Sequence, residues 1–280
     1  MFGAIEAGGT NFVCGAGTGP LDLIKEEFPT CSPAETLQRA AAFFSRYEIQ
    51  SLGVGCFGPI DIACGRITTT PKIAWQQFEI VAELRRATGV QKIAFDTDVN
   101  ASAMGESRWG AGIGIADFLY LTVGTGIGGG ALVNGQLLHG KSHPEMGHIP
   151  MRRDPSRDPF PGACYAHGDC LEGLASGFAI EKRWGRPGGE LPAEHEAWKL
   201  EAEYLAQALA AFTYTLAPVK IIIGGGVMHR LSYALLKEQL HRLLNGYVAT
   251  PEVVPPALGE DAGVLGAMAM AQAIATAPLA

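Results

Sequence analysis

The sequence predicts an α/β protein of two domains, and three observations carry that expectation. Short apolar runs alternate with segments of helical periodicity, the pattern of strands buried beneath helices. A strand, a glycine-rich turn and a second strand occur near the start and again past residue 118, a weak internal repeat. The glycine turns and Asp98 fall at strand ends or hairpin tips, where folds of this class place their ligands. A chain of 280 residues suffices for roughly two domains.

In chain order, residues 2–5 form an apolar run that stops at Glu6-Ala7-Gly8-Gly9-Thr10 and resumes at 12–14, a hairpin with a glycine turn. Ser32-Pro33-Ala34-Glu35 has the form of a capping box with proline at the first helical position, and Leu37, Ala40, Ala41 and Phe44 follow at helical spacing. Residues 52–57 read as a strand ended by Gly58-Pro59, 79–87 as a helix, and 92–95 as a strand running into Asp96-Thr97-Asp98. Residues 100–109 are helical. Past a hinge near 113–117, residues 119–123 are a strand, 124–130 the glycine turn and 131–133 the returning strand. Residues 151–163, dense in Arg, Asp and Pro, hold no regular period. Residues 171–184 and 198–216 read as helices, 220–223 as an apolar strand ended by Gly224-Gly225-Gly226, and 231–244 as a helix. Asp261 is placed to cap a last helix through 275. The expected domains are 1–115 and 116–261, with the closing helix, 262–276, returning to the first.

Composition bounds the function. Acidic residues outnumber Lys and Arg, 28 to 21, for a net charge of −7, which argues against nucleic-acid binding through phosphate neutralisation. Residues 118–140 and 262–280 carry no charged side chain, but the first is crowded with glycine and the second reads as a buried helix, so no membrane partner is expected. No basic segment followed by an apolar core opens the chain. A reduced, cytoplasmic protein is therefore expected, whose six cysteines are core residues, metal ligands or catalysts rather than disulfides.

Gly8-Gly9-Thr10 and Gly124-Thr125-Gly126 each offer close backbone approach, N–H donors and a hydroxyl, the groups that phosphate oxygens want. Together with Gly224-Gly225-Gly226 they point to a nucleotide held between two lobes. Asp98 reads as a base for a hydroxyl proton, with a helix N-cap as the plain alternative and Asp96 as a competitor. Cys164-x-x-His167-x-x-Cys170, with His148 across the Pro-rich loop, is a tetrahedral zinc set; four protein ligands make the metal structural. Glu145 and Glu172 flank it and could accept hydrogen bonds from a polyhydroxyl ligand. His139 and His143 read as loop residues, Cys14, Cys31, Cys56 and Cys64 as core or incidental, and Trp75 as packing or a sugar platform.

Glu6-Ala7-Gly8-Gly9-Thr10, Phe57-Gly58-Pro59, Thr97-Asp98-Val99-Asn100-Ala101, Gly124-Thr125-Gly126-Ile127-Gly128, His143-Pro144-Glu145-Met146-Gly147-His148, the cysteine clamp and Gly224-Gly225-Gly226 occur in this order. Together they resemble the ROK family of sugar kinases, in particular its bacterial zinc-containing fructokinase branch. The resemblance implies a two-domain ribonuclease H-like fold of the actin/hexokinase type with a cleft between the lobes, Mg-ATP as donor, a hexose as acceptor and a homodimer. It implies Asp98 as general base, with Glu145, His148, Glu172 and Thr97 at the sugar. It places Gly8, Gly9, Thr10, Asn11, Gly124, Thr125 and Gly126 at the phosphates, and Phe178 with Gly224, Gly225, Gly226, Val227 and Met228 near the adenosine. Glu6 is a candidate to face magnesium through water. Asn11 stands where the family commonly has Lys, and Thr97 where many glucose-specific members have Asn. Fructose is the expected substrate; a kinase for glucose, mannose or an N-acylhexosamine, or a non-catalytic sugar sensor or repressor-related protein, are the alternatives.

Overall fold

The computed structural model describes residues 1–276. The chain forms two compact units. Among the described residues, the first comprises Met1–Gly114, Leu137–His143 and residues 257–276; the second comprises Ile115–Gln136 and Pro144–Pro256.

In chain order the first unit holds β1 (Phe2–Ala7), β2 (Asn11–Gly17), β3 (Ile24–Pro29), α1 (Pro33–Phe44), β4 (Leu52–Cys56), β5 (Ile60–Asp61), β6 (Arg66–Ile67), α2 (Ile80–Thr88), β7 (Ile93–Thr97) and α3 (Asp98–Trp109). The second holds β8 (Phe118–Val123), β9 (Ile127–Val133), α4 (Leu171–Ala175), α5 (Gly177–Trp184), α6 (Ala197–Leu216), β11 (Lys220–Gly224), α7 (Tyr233–Leu244) and β12 (Glu252–Val254), and the short edge strand β10 (Gln136–Leu137) falls where the chain passes from one unit to the other. Helix α8 (Ala262–Ala275) belongs to the first unit.

The main sheets run β3-β2-β1-β4-β7 and β10-β9-β8-β11-β12. Counted within its own sheet, each order is 3-2-1-4-5, with an antiparallel hairpin first and parallel strands after. The repeat glimpsed in the sequence thus extends over whole sheets. Parallel strands leave ligand-facing groups at their carboxyl ends, and here those ends carry Asp98 in one unit and Gly224-Gly225-Gly226 in the other.

Local chemistry sets the helix starts. Ser32 forms the expected capping box with Glu35, and Leu37, Ala40, Phe43 and Phe44 bury one face of α1. Helix α8, without a charged side chain, is buried from Ala262 to Ala271. It comes so close to the sheet that a methyl group on Gly53 would collide with the Ala267 carbonyl, and Gly105 and Gly266 allow α3 the same approach.

Several expectations are corrected. Asp98 does not cap α3: Thr97 does, accepting from Asn100 N–H at 3.1 Å, and Asp98 is the first helical residue. Asp261 makes no cap either; its carboxylate pairs with Lys25. The second glycine turn is only three residues long, because Gly128, Gly129 and Gly130 belong to β9; a side chain on Gly129 would meet Met146 and Leu121 at 2.8 and 3.0 Å. The helix expected over 171–184 breaks at Ser176, whose extended backbone and side chain start α5 afresh.

Candidate active site

The first glycine turn closes β1 and β2. Gly8 N–H donates to the Asn11 carbonyl at 2.9 Å, and a methyl group on Gly8 would sit 2.6 Å from that oxygen. Thr30 braces the turn twice: its hydroxyl donates to the Gly8 carbonyl at 2.7 Å and its N–H to the Thr10 carbonyl at 2.8 Å. Thr10 is exposed, and Asn11 commits its amide to Glu27 at 2.6 Å.

Glu6, near the end of β1, places its carboxylate against Gly263 and takes a hydrogen bond from Val264 N–H at the start of α8. Burial of the carboxylate, then the charge of Asp98, pushes its pKa up to about 7. Asp98 is half-buried at the head of α3, one carboxylate oxygen accepting from Val99 N–H at 2.9 Å. Gly55 on β4 makes that position reachable, since a side chain there would strike Ala101 and press on Asp98. The structure therefore brings Glu6, the first glycine turn, Thr97 and Asp98 to one end of one sheet.

Asp96, in register with Gly55 and Glu6, is committed to a hydrogen-bond network of its own. It is 5% exposed and accepts from Thr97 N–H, Asn100 Nδ2 and His139 Nε2 at 2.8, 2.7 and 2.8 Å. His139 is thus a buttress rather than a loose loop residue. His143 is another, its Nε2 accepting from Ile60 N–H at 3.0 Å. Sequence reasoning missed both because each partner lies 43 or more residues away. Trp75 is a core residue, 1% exposed against Phe12, Phe57 and Phe78.

In the second unit, Glu172 on α4 touches the other glycine turn, accepting from Ile127 N–H at 3.0 Å and lying 2.6 Å from where a methyl group on Gly126 would be. The N-terminus of α5 closes on the same turn: Gly177 N–H donates to the Gly124 carbonyl at 2.7 Å and Phe178 N–H to the Thr125 carbonyl at 3.4 Å. Phe178 is exposed with Lys182 over its ring. Gly225, at φ 95°, passes too close to the Val123 carbonyl for any side chain, and Val227 reaches 3.7 Å from where a methyl group on Gly177 would be. The residues expected at phosphate and adenosine in this unit are therefore neighbours.

His148 faces two ways. Its Nδ1 lies 3.7 Å from Cys164 Sγ and 3.5 Å from Cys170 Sγ, while its Nε2 points toward Glu145 and Glu172 at 4.0 and 3.9 Å. His167 Nδ1 is 3.7 Å from Cys164 Sγ, and the four ligand atoms all lie within 4.8 Å of one another. Tetrahedral zinc with ordinary bond lengths sets nitrogen–sulfur separations of about 3.6 Å, so the residues fit the metal. Burial raises the pKa of the Cys170 thiol, and a cation is what would draw the proton off it.

The irregular stretch before the clamp has a second anchor that the sequence did not show. Asp158, 3% exposed, accepts from Arg183 Nη2 at 3.1 Å and the Tyr204 hydroxyl at 2.7 Å, while Arg153 donates to the Asp158 and Phe160 carbonyls.

The sequence profile described as the ROK family matches residues 2–274. A fructokinase of Zymomonas mobilis is 40% identical, across 98% of this chain and 97% of its own. A glucokinase of Thermotoga maritima is 31% identical across 79% of this chain and 78% of its own. Among solved structures, a ROK hexokinase from Thermus thermophilus superposes with a TM-score of 0.80 at 28% identity, covering 97% of this chain and 98% of that one. The fold is that of the ROK hexokinases.

Proposed function

We infer that this chain, which belongs to the ROK family, is an ATP-dependent sugar kinase acting on fructose. The kinase reading rests on Asp98, held at the carboxyl end of a parallel strand beside Glu6 and a glycine turn. Fructose is favoured over glucose because fructokinase likeness runs the full length of the chain, whereas the glucokinase likeness is lower and shorter.

Asp98 takes the proton of the sugar hydroxyl. The freed oxygen attacks the γ-phosphorus, the bond from that phosphorus to the β–γ bridging oxygen breaks, and ADP leaves with the electron pair. Glu145, His148 and Glu172 orient the sugar through its hydroxyls, and Thr97 fixes the helix that carries Asp98. Thr10 and Thr125 hold phosphate oxygens with the backbone N–H groups of their turns, and Phe178 with residues 224–228 lies along the adenosine. Magnesium, when bound, neutralises phosphate charge; Glu6, whose ionisation Asp98 opposes, is the residue a dication would favour. His148, Cys164, His167 and Cys170 hold zinc, which when bound fixes the loop and the tilt of the His148 ring.

No helix among the described residues is long and apolar enough to cross a membrane. The reading takes the enzyme as a cytoplasmic homodimer without nucleic-acid partners, on the strength of the family resemblance and the net negative charge. The test is a sugar panel with Mg-ATP, followed by ADP release. Fructose should be used in preference to glucose, mannose and N-acetylated hexosamines. A preference for glucose overturns the substrate, and ATP binding without turnover of any sugar overturns the enzyme in favour of a sensor.

A further inference from the structure

The first glycine turn has no cation among its own residues, and Asn11 spends its amide on Glu27. One basic side chain nevertheless lies on it. A methyl group on Gly9 would have a single neighbour among the described residues within 4 Å, Lys72 Cε at 3.8 Å. The ammonium is one bond further on and makes no hydrogen bond or ion pair within the described residues, although acidic residues are plentiful in this chain.

The placement is built into the fold. The Lys72 carbonyl accepts from Trp75 N–H at 2.8 Å, and the Lys72 N–H donates to the Thr70 hydroxyl at 3.4 Å. Gln76 closes the loop on the Thr70 carbonyl at 2.9 Å. Trp75 is buried and donates its indole N–H to the Cys31 carbonyl at 2.9 Å. Cys31 follows Thr30, the residue that braces Gly8 and Thr10. A short run of hydrogen bonds thus ties the root of Lys72 to the turn, while the end of its stem lies beside a glycine whose missing side chain leaves room for an anion.

We propose that Lys72 is a catalytic residue for the phosphoryl transfer inferred above: its ammonium contacts the γ-phosphoryl oxygens of ATP at the first glycine turn and neutralises charge that builds there as the group moves. This rests on the kinase reading. A lysine serves as a compact point charge on a flexible stem, suited to follow a moving phosphoryl group.

The test compares wild type with Lys72→Met, which keeps length without charge, and Lys72→Arg, which restores charge. Binding of a non-hydrolysable ATP analogue and of ADP is measured without sugar, alongside kcat with fructose and the melting temperature. Lys72→Met should lower kcat by roughly 10²–10³-fold, as for removal of one donor to a developing charge. It should weaken the ATP analogue by about tenfold while leaving ADP and fructose binding within about twofold. Lys72→Arg should recover much of the loss, and both variants should melt with wild type, since the ammonium supports no other contact. A Lys72→Met enzyme within about threefold of wild-type kcat overturns the proposal while leaving the kinase reading intact. Equal weakening of ADP and the ATP analogue overturns the γ-phosphoryl assignment. A wild-type protein that binds neither nucleotide overturns both readings.

Discussion

The two glycine-tipped hairpins hold the same place in their sheets and differ in what lies beneath them. Each opens with a six-residue strand, and each has a three-residue tip. The fifth residue of that strand is Glu6 in the first and Thr122 in the second. Around the first tip lie a carboxyl with a raised pKa, Asp98 and the stem of Lys72. Around the second lie Glu172, pinned by Ile127 N–H, and the start of α5, with His148 turned between Glu172 and two thiols. The repeated fold therefore fixes where ligands go, and the side chains under each tip divide the work. In the proposed kinase, the first tip would handle protons and phosphoryl charge, and the second would hold and orient. Changes at the first should appear chiefly in kcat, in contacts to the γ-phosphoryl group or in pH dependence, and changes at the second in sugar affinity.

The largest expected effect is at the first tip. Asp98→Asn should lower kcat by about 10²–10⁴-fold, the range for loss of a general base, with fructose affinity nearly kept. The fold should tolerate it, because Thr97 rather than Asp98 caps α3 and an Asn side-chain oxygen can still accept from Val99 N–H. Any stability loss should stay near the 0.3–1 kcal/mol, roughly, of an acidic group at a helix start. Turnover and melting temperature measured on the same preparation decide the matter. A change confined to the sugar constant would break the division of work between the tips.

The second tip is tested through its clamp. Elemental analysis of protein purified without chelator should find one zinc per chain. Cys164→Ser and Cys170→Ser should behave alike, each lowering fructose affinity by about 10–100-fold, as loss of support for a ligand-orienting group does. The route is His148, whose two nitrogens face the thiols and the carboxylates. Far-UV circular dichroism should survive, because Asp158, Arg183 and Tyr204 hold the neighbouring loop independently of the metal. Full activity in zinc-free enzyme would sever the clamp from the sugar.

What the sequence disclosed follows the range of its interactions. The capping box at Ser32 and the cysteine clamp were legible because each is written within a few residues. The place of Asp98 where a strand meets a helix was legible, but whether it or Thr97 caps the helix was not, since Thr and Asp both cap well. β3 was overlooked because an edge strand carrying Lys25, Glu26 and Glu27 buries only Phe28 and has no apolar alternation. The long-range polar pairings were illegible for a different reason. Asp96 meets His139 from 43 residues away, and Glu106, fully buried, accepts from Ala257 and Leu258 N–H across more than 150. Lys72 lies beside Gly9, 63 residues before it in sequence, on a loop tied back through Trp75 to Cys31. Such pairings exist only once the chain has folded.

The smallest effect sharpens the contrast between Glu6 and Thr122. The Glu6 carboxyl is raised from 4.5 to about 7 in the fold by burial and by Asp98. Below the lower value both folded and unfolded chains hold the proton, and this residue costs nothing. As pH rises toward 7 the unfolded chain gives up its proton while the folded one keeps it, so stability falls over that window and levels off above it. Glu6→Gln removes the titration and still offers an oxygen to Val264 N–H. Thermal melts should therefore show wild type and variant alike near pH 4, with the variant gaining as pH rises and a constant lead beyond about pH 7. Thr122→Val, the corresponding change in the other hairpin, has no ionisable group to lose and should shift the melting temperature by the same amount at every pH. A pH-independent offset for Glu6→Gln would mean that its carboxyl titrates normally. The electrostatic difference between the two tips would then rest on Asp98 and Lys72 alone.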